Sequence, residues 1–284
     1  MKVTILGGTG FVGRYLTNKL QAQGASVKSY GRHAFVSETS LLEAIDDTEV
    51  LVILVGENIG QRWSETYKKA LFDSRIKNNE KISQVLKQCK NPPKKIFSAS
   101  AIGIYPERYC GDPVDESCVE VGEGFLGQLG SAWEDSAKKL TPQPVIMRFG
   151  VVLGTDGGAL EKMLLPFKLG FGGPVAGGKQ CFSWVHIQDL VDGIGFLIEN
   201  SSAGETYNIC SPSPLSNAEF GKALAQQLKR PFLIPLPEWQ LKLMFGEGAQ
   251  VLTHSSAVLP NKITKLGFEF TYPTAESALQ NLLK

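Results

Sequence analysis

Residues 7–13 read GGTGFVG. Two spacings coincide there, Gly8-x-Gly10-x-x-Gly13 and Gly7-x-x-Gly10-x-x-Gly13. An apolar run, VTIL, leads in, and a stretch with Val12, Leu16 and Leu20 at helical spacing leads out to Gly24. A glycine loop between a strand and a helix is a grip for a pyrophosphate. One glycine makes the tight turn, one lets the backbone approach the phosphates, and one lets helix and strand pack closely. The phosphates then sit at the helix N-terminus, where free N–H groups and the dipole favour negative charge. Gly7, Thr9, Gly10, Phe11 and Val12 are the candidate contacts.

The second strand should end near residue 30, in SYGRH. A carboxylate at that place would take the adenosine 2′-hydroxyl of NAD(H). Neither Asp nor Glu is there, and Arg32 is. A guanidinium binds a phosphate bidentately, so NADP(H) is the expected nucleotide. Other chemistry is sparse. His33, His186 and His254 have no metal-ligand spacing with each other or with a cysteine, so no metal is expected. Five cysteines, Cys89, Cys110, Cys118, Cys181 and Cys210, form no C-x-x-C pair. Inert or buried thiols in a reducing cytoplasm are the expectation, without a disulfide framework.

These residues need a scaffold. A chain of 284 residues with 43 % hydrophobic content can bury a full core. A net charge of +1 argues against nucleic acid as a partner. The apolar runs, such as VLVILVG at 50–56, are too short to span a bilayer. Strand-like segments at 3–6, 26–30, 49–55, 94–100 and 144–153 alternate with helical ones, including a long helix over 63–90. That alternation predicts an α/β fold, a Rossmann-type doubly wound parallel sheet over residues 1–155 with a return segment near 183–200. Proline and glycine thicken after residue 156, which predicts a smaller C-terminal α/β lobe over 156–284. Ser216 and Glu219 have the spacing of a capping box.

The glycine loop, FSASAIGIYP at 97–106 and FSWVHIQDLVDGI at 182–194 resemble the extended short-chain dehydrogenase/reductases, the NAD(P)-dependent sugar epimerases and dehydratases. VGENIGQRW (55–63), RFGVVLG (148–154), MLLPFKLGFGGPVAGGKQ (163–180) and VLPNKITKLGFEFTYPTAESAL (258–279) are similar to an atypical "epimerase family" subgroup that ends in a domain of unknown function. The resemblance covers nearly the whole chain. It implies that Ser100 is the catalytic serine and that Asp189 caps a helix. It also implies cofactor contacts at Gly31, Arg32, Leu54, Val55, Gly56, Arg75, Ser98 and Val152. For Leu54, Val55 and Val152, plain core packing is an equal alternative.

The superfamily's proton chemistry rests on Tyr-x-x-x-Lys. The expected helix here reads EGFLGQLGSAWEDSAKK (123–139), and the pair is absent whether it falls on Phe125/Leu129 or on Leu126/Gly130. Tyr15 and Lys19 have the spacing, but their helix runs away from the phosphates and places Lys19 about 12 Å from the loop. Tyr105 or a water would have to replace the lost tyrosine. Two functions follow: an NADP-dependent oxidoreductase or epimerase-like enzyme with altered proton chemistry and an unknown small-molecule substrate, or a non-catalytic NADP(H)-binding redox sensor or regulator. Either could act as a monomer or a homodimer. The loop GFGGPVAGGKQ is a candidate lid between the lobes.

Overall fold

The computed structural model describes residues 1–284. Its strands are β1 (Lys2–Leu6), β2 (Ser26–Tyr30), β3 (Val50–Ile53), β4 (Lys95–Ala101), β5 (Val145–Phe149), β6 (Val151–Leu153), β7 (Cys181–Phe182), β8 (Trp184–His186), β9 (Thr206–Ile209) and β10 (Leu215–Ser216). Six of them form one parallel sheet in the order β2-β1-β3-β4-β5-β9. Helices α1 (Phe11–Ala22), α2 (Glu38–Ile45), α3 (Glu65–Leu86), α4 (Phe125–Ala137), α5 (Gly158–Lys168) and α6 (Ile187–Asn200) accompany it, and α7 (Asn217–Gln227), α8 (Glu238–Phe245), α9 (Gln250–Thr253), α10 (Asn261–Lys265) and α11 (Ala275–Leu282) follow.

Alternation along each strand divides the core. Val3, Ile5, Val52, Phe97 and Met147 pack with Leu16 and Leu20 of α1 and with Leu190, Ile194 and Leu197 of α6. Leu6, Leu51, Ile53 and Ile96 pack on the other face with Leu41 of α2 and Ile82 and Val85 of α3. All of β3 is therefore buried, as a central parallel strand with both faces covered must be. The strand order reverses at β1, so a crevice opens beyond the carboxyl ends of β1 and β3.

Several boundaries differ from the sequence reading. The run 144–153 is two strands, because the chain turns at Gly150, where a Cβ would lie 2.9 Å from Cys210 Cβ. After that turn β6 leaves the main sheet and pairs with β8. Residues 206–209, not foreseen as a strand, form the sheet's edge beside β5. The long helix is shorter than 63–90 because Ser64 caps it, accepting from Tyr67 N at 3.1 Å. Asp189 does not cap α6. His186 does, its Nδ1 accepting from Gln188 N at 3.0 Å. The buried Asp189 carboxylate instead accepts the Thr271 and Tyr272 amides, each at 2.9 Å, and holds the C-terminal segment to α6. The capping box of Ser216 and Glu219 is present on α7. The loop 169–180 lies alongside 232–236, bridged at Gly172–Phe232 and Val175–Leu236.

The cysteines also depart from expectation. Cys110 and Cys181 form a disulfide across 71 positions of sequence. Cys89, Cys118 and Cys210 are free thiols, and burial pushes the Cys210 thiol far up. No helix is long and apolar enough to cross a membrane.

Candidate functional site

The glycine loop turns at Gly7, whose φ of 91° favours glycine. The Gly7 and Gly8 amides donate to Tyr30 O at 2.8 and 2.9 Å, which fastens the loop to the end of β2. A Cβ on Gly13 would lie 2.4 Å from Gly7 O and 2.5 Å from Gly8 Cα. The helix thus packs so close to the turn that only glycine fits. Gly10 is the N-cap of α1 and supplies no side-chain cap, and the first turn holds no acid. Its N–H donors are left for an external anion. Thr9 packs its hydroxyl over Gly31, where a Cβ would sit 2.6 Å away. The Phe11 ring turns the other way, into a cradle made by Gly154, Gly157 and Gly158, where added Cβ atoms would come within 2.4, 2.4 and 3.0 Å of it.

Arg32 stands at the far side of this crevice. Its side chain is 89 % exposed, and its guanidinium lies 3.0 Å from the Glu57 carboxylate. Sequence reasoning missed Glu57. Half-buried Leu54 and Val55 follow β3, and Gly7 packs against the Leu54 carbonyl, where a Cβ would be 2.8 Å from Leu54 C. Arg75 is buried beneath this segment. It donates to Leu71 O at 3.0 Å and to Glu57 O at 3.1 Å, and a Cβ on Gly56 would lie 3.1 Å from its Cζ. Burial lowers its pKa to about 10, and its Nε has no partner. Arg75 therefore supports the 56–57 backbone from below. Val152 is half-buried, and its carbonyl approaches Gly158 in the Phe11 cradle. Ser98 is 0 % exposed and gives its hydroxyl to Ala99 O at 3.3 Å.

Both candidate places of the missing pair lie on α4. Phe125 packs on Trp63 and Phe72, and Leu129 packs with Trp63 and Leu71, so both face α3. Leu126, Gly130 and Glu134 form the next stripe and face the end of β4. Leu126 Cβ is 3.5 Å from where a Gly103 Cβ would stand, and a Cβ on Gly130 would be 2.8 Å from Ile104 Cβ. Neither pair of positions on α4, Phe125/Leu129 or Leu126/Gly130, carries a tyrosine and a lysine. Ile104 occupies the space beside Gly130.

One helical turn beyond Gly130, Glu134 forms a buried ion pair. Ser100 Oγ donates to Glu134 Oε1 at 2.8 Å. Arg148, from β5, donates Nε and Nη2 to the two carboxylate oxygens at 2.7 and 2.8 Å. Burial opposes the Arg148 charge, but the hydrogen-bonded carboxylate more than offsets it and raises the pKa. The guanidinium stacks on the Tyr105 ring at 4.8 Å. Tyr105 is 1 % exposed and donates its hydroxyl to Asn208 Oδ1 at 3.0 Å. Burial pushes it up to about 12, against the opposing pull of Arg148. The Ser100 hydroxyl thus donates to a carboxylate, and the Tyr105 phenol is enclosed, with burial raising its pKa.

Residues 3–120 match the model of the NAD dependent epimerase/dehydratase family, and residues 236–282 match a domain of unknown function, DUF1731. The chain is 33 % identical to Epimerase family protein SA0724 of Staphylococcus aureus, over 99 % of this chain and 98 % of that one. The crystal structure of human epimerase family protein SDR39U1 (isoform 2) with NADPH superimposes with a TM-score of 0.91, at 32 % identity and 99 % of each chain. A nucleoside-diphosphate sugar epimerase from Corynebacterium glutamicum matches with a TM-score of 0.79, at 25 % identity, over 99 % of this chain and 57 % of that one.

Proposed function

This chain is a member of the NAD-dependent epimerase/dehydratase family, and from that premise we propose that it binds NADP(H) in a site whose tyrosine–lysine proton relay has been replaced by a closed ion pair. The observation that carries the cofactor choice is the exposed Arg32 guanidinium across the crevice from an uncapped helix N-terminus. The Gly7–Val12 loop would hold the pyrophosphate, Gly31 and Arg32 the 2′-phosphate, and Leu54, Val55 and Gly56 the adenine side, with Arg75 as support and Val152 toward the nicotinamide. The NADPH in the human relative supports this reading. Bound NADPH supplies a hydride. Redox sensing or regulation of a partner fits the residues better than turnover, since Ser100 and Tyr105 both spend their protons inside the fold. The oxidoreductase reading is favoured by one fact, the place of Ser100 near the carboxyl end of β4.

The test is cofactor discrimination. A charge-assisted hydrogen bond is worth about 1.5–3 kcal/mol, roughly ten- to a hundredfold in affinity. Arg32→Ala should weaken NADPH by that factor and leave NADH unchanged, read by fluorescence titration. Equal weakening of both cofactors would sink the assignment.

The decoy pair gives a second test. Tyr15 donates to Asp156 Oδ1 at 2.8 Å, and Lys19 pairs with Asp192 on α6 at 2.5 Å. Both side chains join elements of the scaffold. The double variant Tyr15→Phe, Lys19→Ala should bind NADPH within about twofold of wild type, since partly exposed pairs contribute about 0–1 kcal/mol. Loss of binding in the folded variant would show that α1 presents these residues to the cofactor.

A further inference from the structure

We propose that the Cys110–Cys181 disulfide is a redox modification site, opened by a dithiol reductant, that fastens the segment leaving β4 to strand β7. The two sulfurs differ in access. Cys181 is 1 % exposed at the start of β7. Cys110 is half-buried in a turn closed by Asp112 N donating to Tyr109 O at 2.9 Å. Tyr109, beside it, is 63 % exposed, and nothing lies within 4 Å of where a Gly111 Cβ would be. Approach is therefore to the Cys110 sulfur, with Cys181 as the leaving group. A thiolate of the reductant bonds to Cys110 Sγ as the S–S bond breaks, and Cys181 departs as thiolate and takes a proton. The second thiol of the reductant then displaces Cys110, so the dithiol is oxidised to a disulfide and the cystine is reduced by two electrons.

The bond sits where three segments meet. Cys181 N donates to Ser255 Oγ at 2.8 Å, and Ser255 Oγ donates to Arg108 O at 2.7 Å. The segment from Tyr105 through Cys110 runs on to Gly122, whose amide returns to Ile104 O at 2.8 Å just before α4 begins. The disulfide is the covalent tie among these contacts. Cutting it leaves the 109–112 turn with no covalent anchor of its own, and it loosens the path from Ser100 to Leu126.

The test uses the full chain and dithiothreitol, and neither readout uses a nucleotide, so its failure is separate from failure of the cofactor reading. Alkylation in denaturant after native treatment should count three thiols in the untreated chain, from Cys89, Cys118 and Cys210, and five after reduction. Trypsin should cut after Arg108 and Lys179, which flank the two cysteines, at least tenfold faster in the reduced chain. Cys110→Ser should be cut at the reduced rate with or without dithiothreitol, and Cys118→Ser should respond like wild type. Five thiols before treatment, reduction only after unfolding, or cleavage rates unchanged by reduction each overturn the proposal.

Discussion

Glu134→Ala is expected to lower folding stability by about 3–5 kcal/mol, the cost of breaking a buried ion pair by removing one partner. The Glu134 side chain is 2 % exposed and that of Arg148 12 %, so the guanidinium left behind has little water to turn to. The Ser100 hydroxyl loses its acceptor as well. For a chain of this size each kcal/mol is about 2–4 °C in Tm. Glu134→Gln should fall between the two, because an amide oxygen still accepts from Ser100 or Arg148. Urea unfolding of the three proteins measures the difference. A loss below about 1 kcal/mol in Glu134→Ala would mean that the network carries no stability.

Turnover of nucleotide-sugar epimerase substrates is expected to be absent in the wild type with NADP(H) bound. A positioned general acid or base contributes about 10²–10⁴-fold, and the positions that should supply it hold Phe125 and Leu129 in one register and Leu126 and Gly130 in the other. Ser100→Ala should leave NADPH affinity unchanged. If some other substrate is found, that variant should lower kcat more than it changes cofactor binding. Leu126→Tyr with Gly130→Lys should not by itself restore turnover, because Ile104 fills the space beside Gly130. Sugar epimerisation by the wild type, monitored by coupled assay and unaffected by Ser100→Ala and Tyr105→Phe, would overturn this account of the site.

What the sequence discloses depends on how local each feature is. The glycine loop and the capping box of Ser216 are short-range devices, in which a few consecutive residues fix their own geometry, and both are legible. So is the parallel sheet, since buried strands such as VLVI at 50–53 are apolar throughout. Arg148 also left a signal. An arginine inside the apolar run VIMRF must find a carboxylate if the strand is buried, but nothing local says that Glu134, on another element, supplies it. The Cys110–Cys181 bond, across 71 positions, is less local still. Tyr105 is the sequence's candidate to replace the lost tyrosine because it follows a strand end. It is enclosed because the chain passes through a tight turn at 102–104 and tucks the ring against Arg148.

The threading of the sheet has a consequence for any attempt to take the molecule apart. Its last strand, β9, and the helix roofing one face, α6, come from residues 187–209, and α6 in turn grips the backbone at 271–272 through Asp189. A fragment ending at residue 155 would expose one side of Val3, Ile5, Val52 and Phe97 to water. One ending before 271 would leave a buried carboxylate with neither of its amide donors. The stretches 3–120 and 236–282, although each matches a family model of its own, are thus not modules to be expressed, fused or exchanged separately. The chain is a single weave, and swapping its tail for that of a relative would require the grip on α6 to be carried across with it.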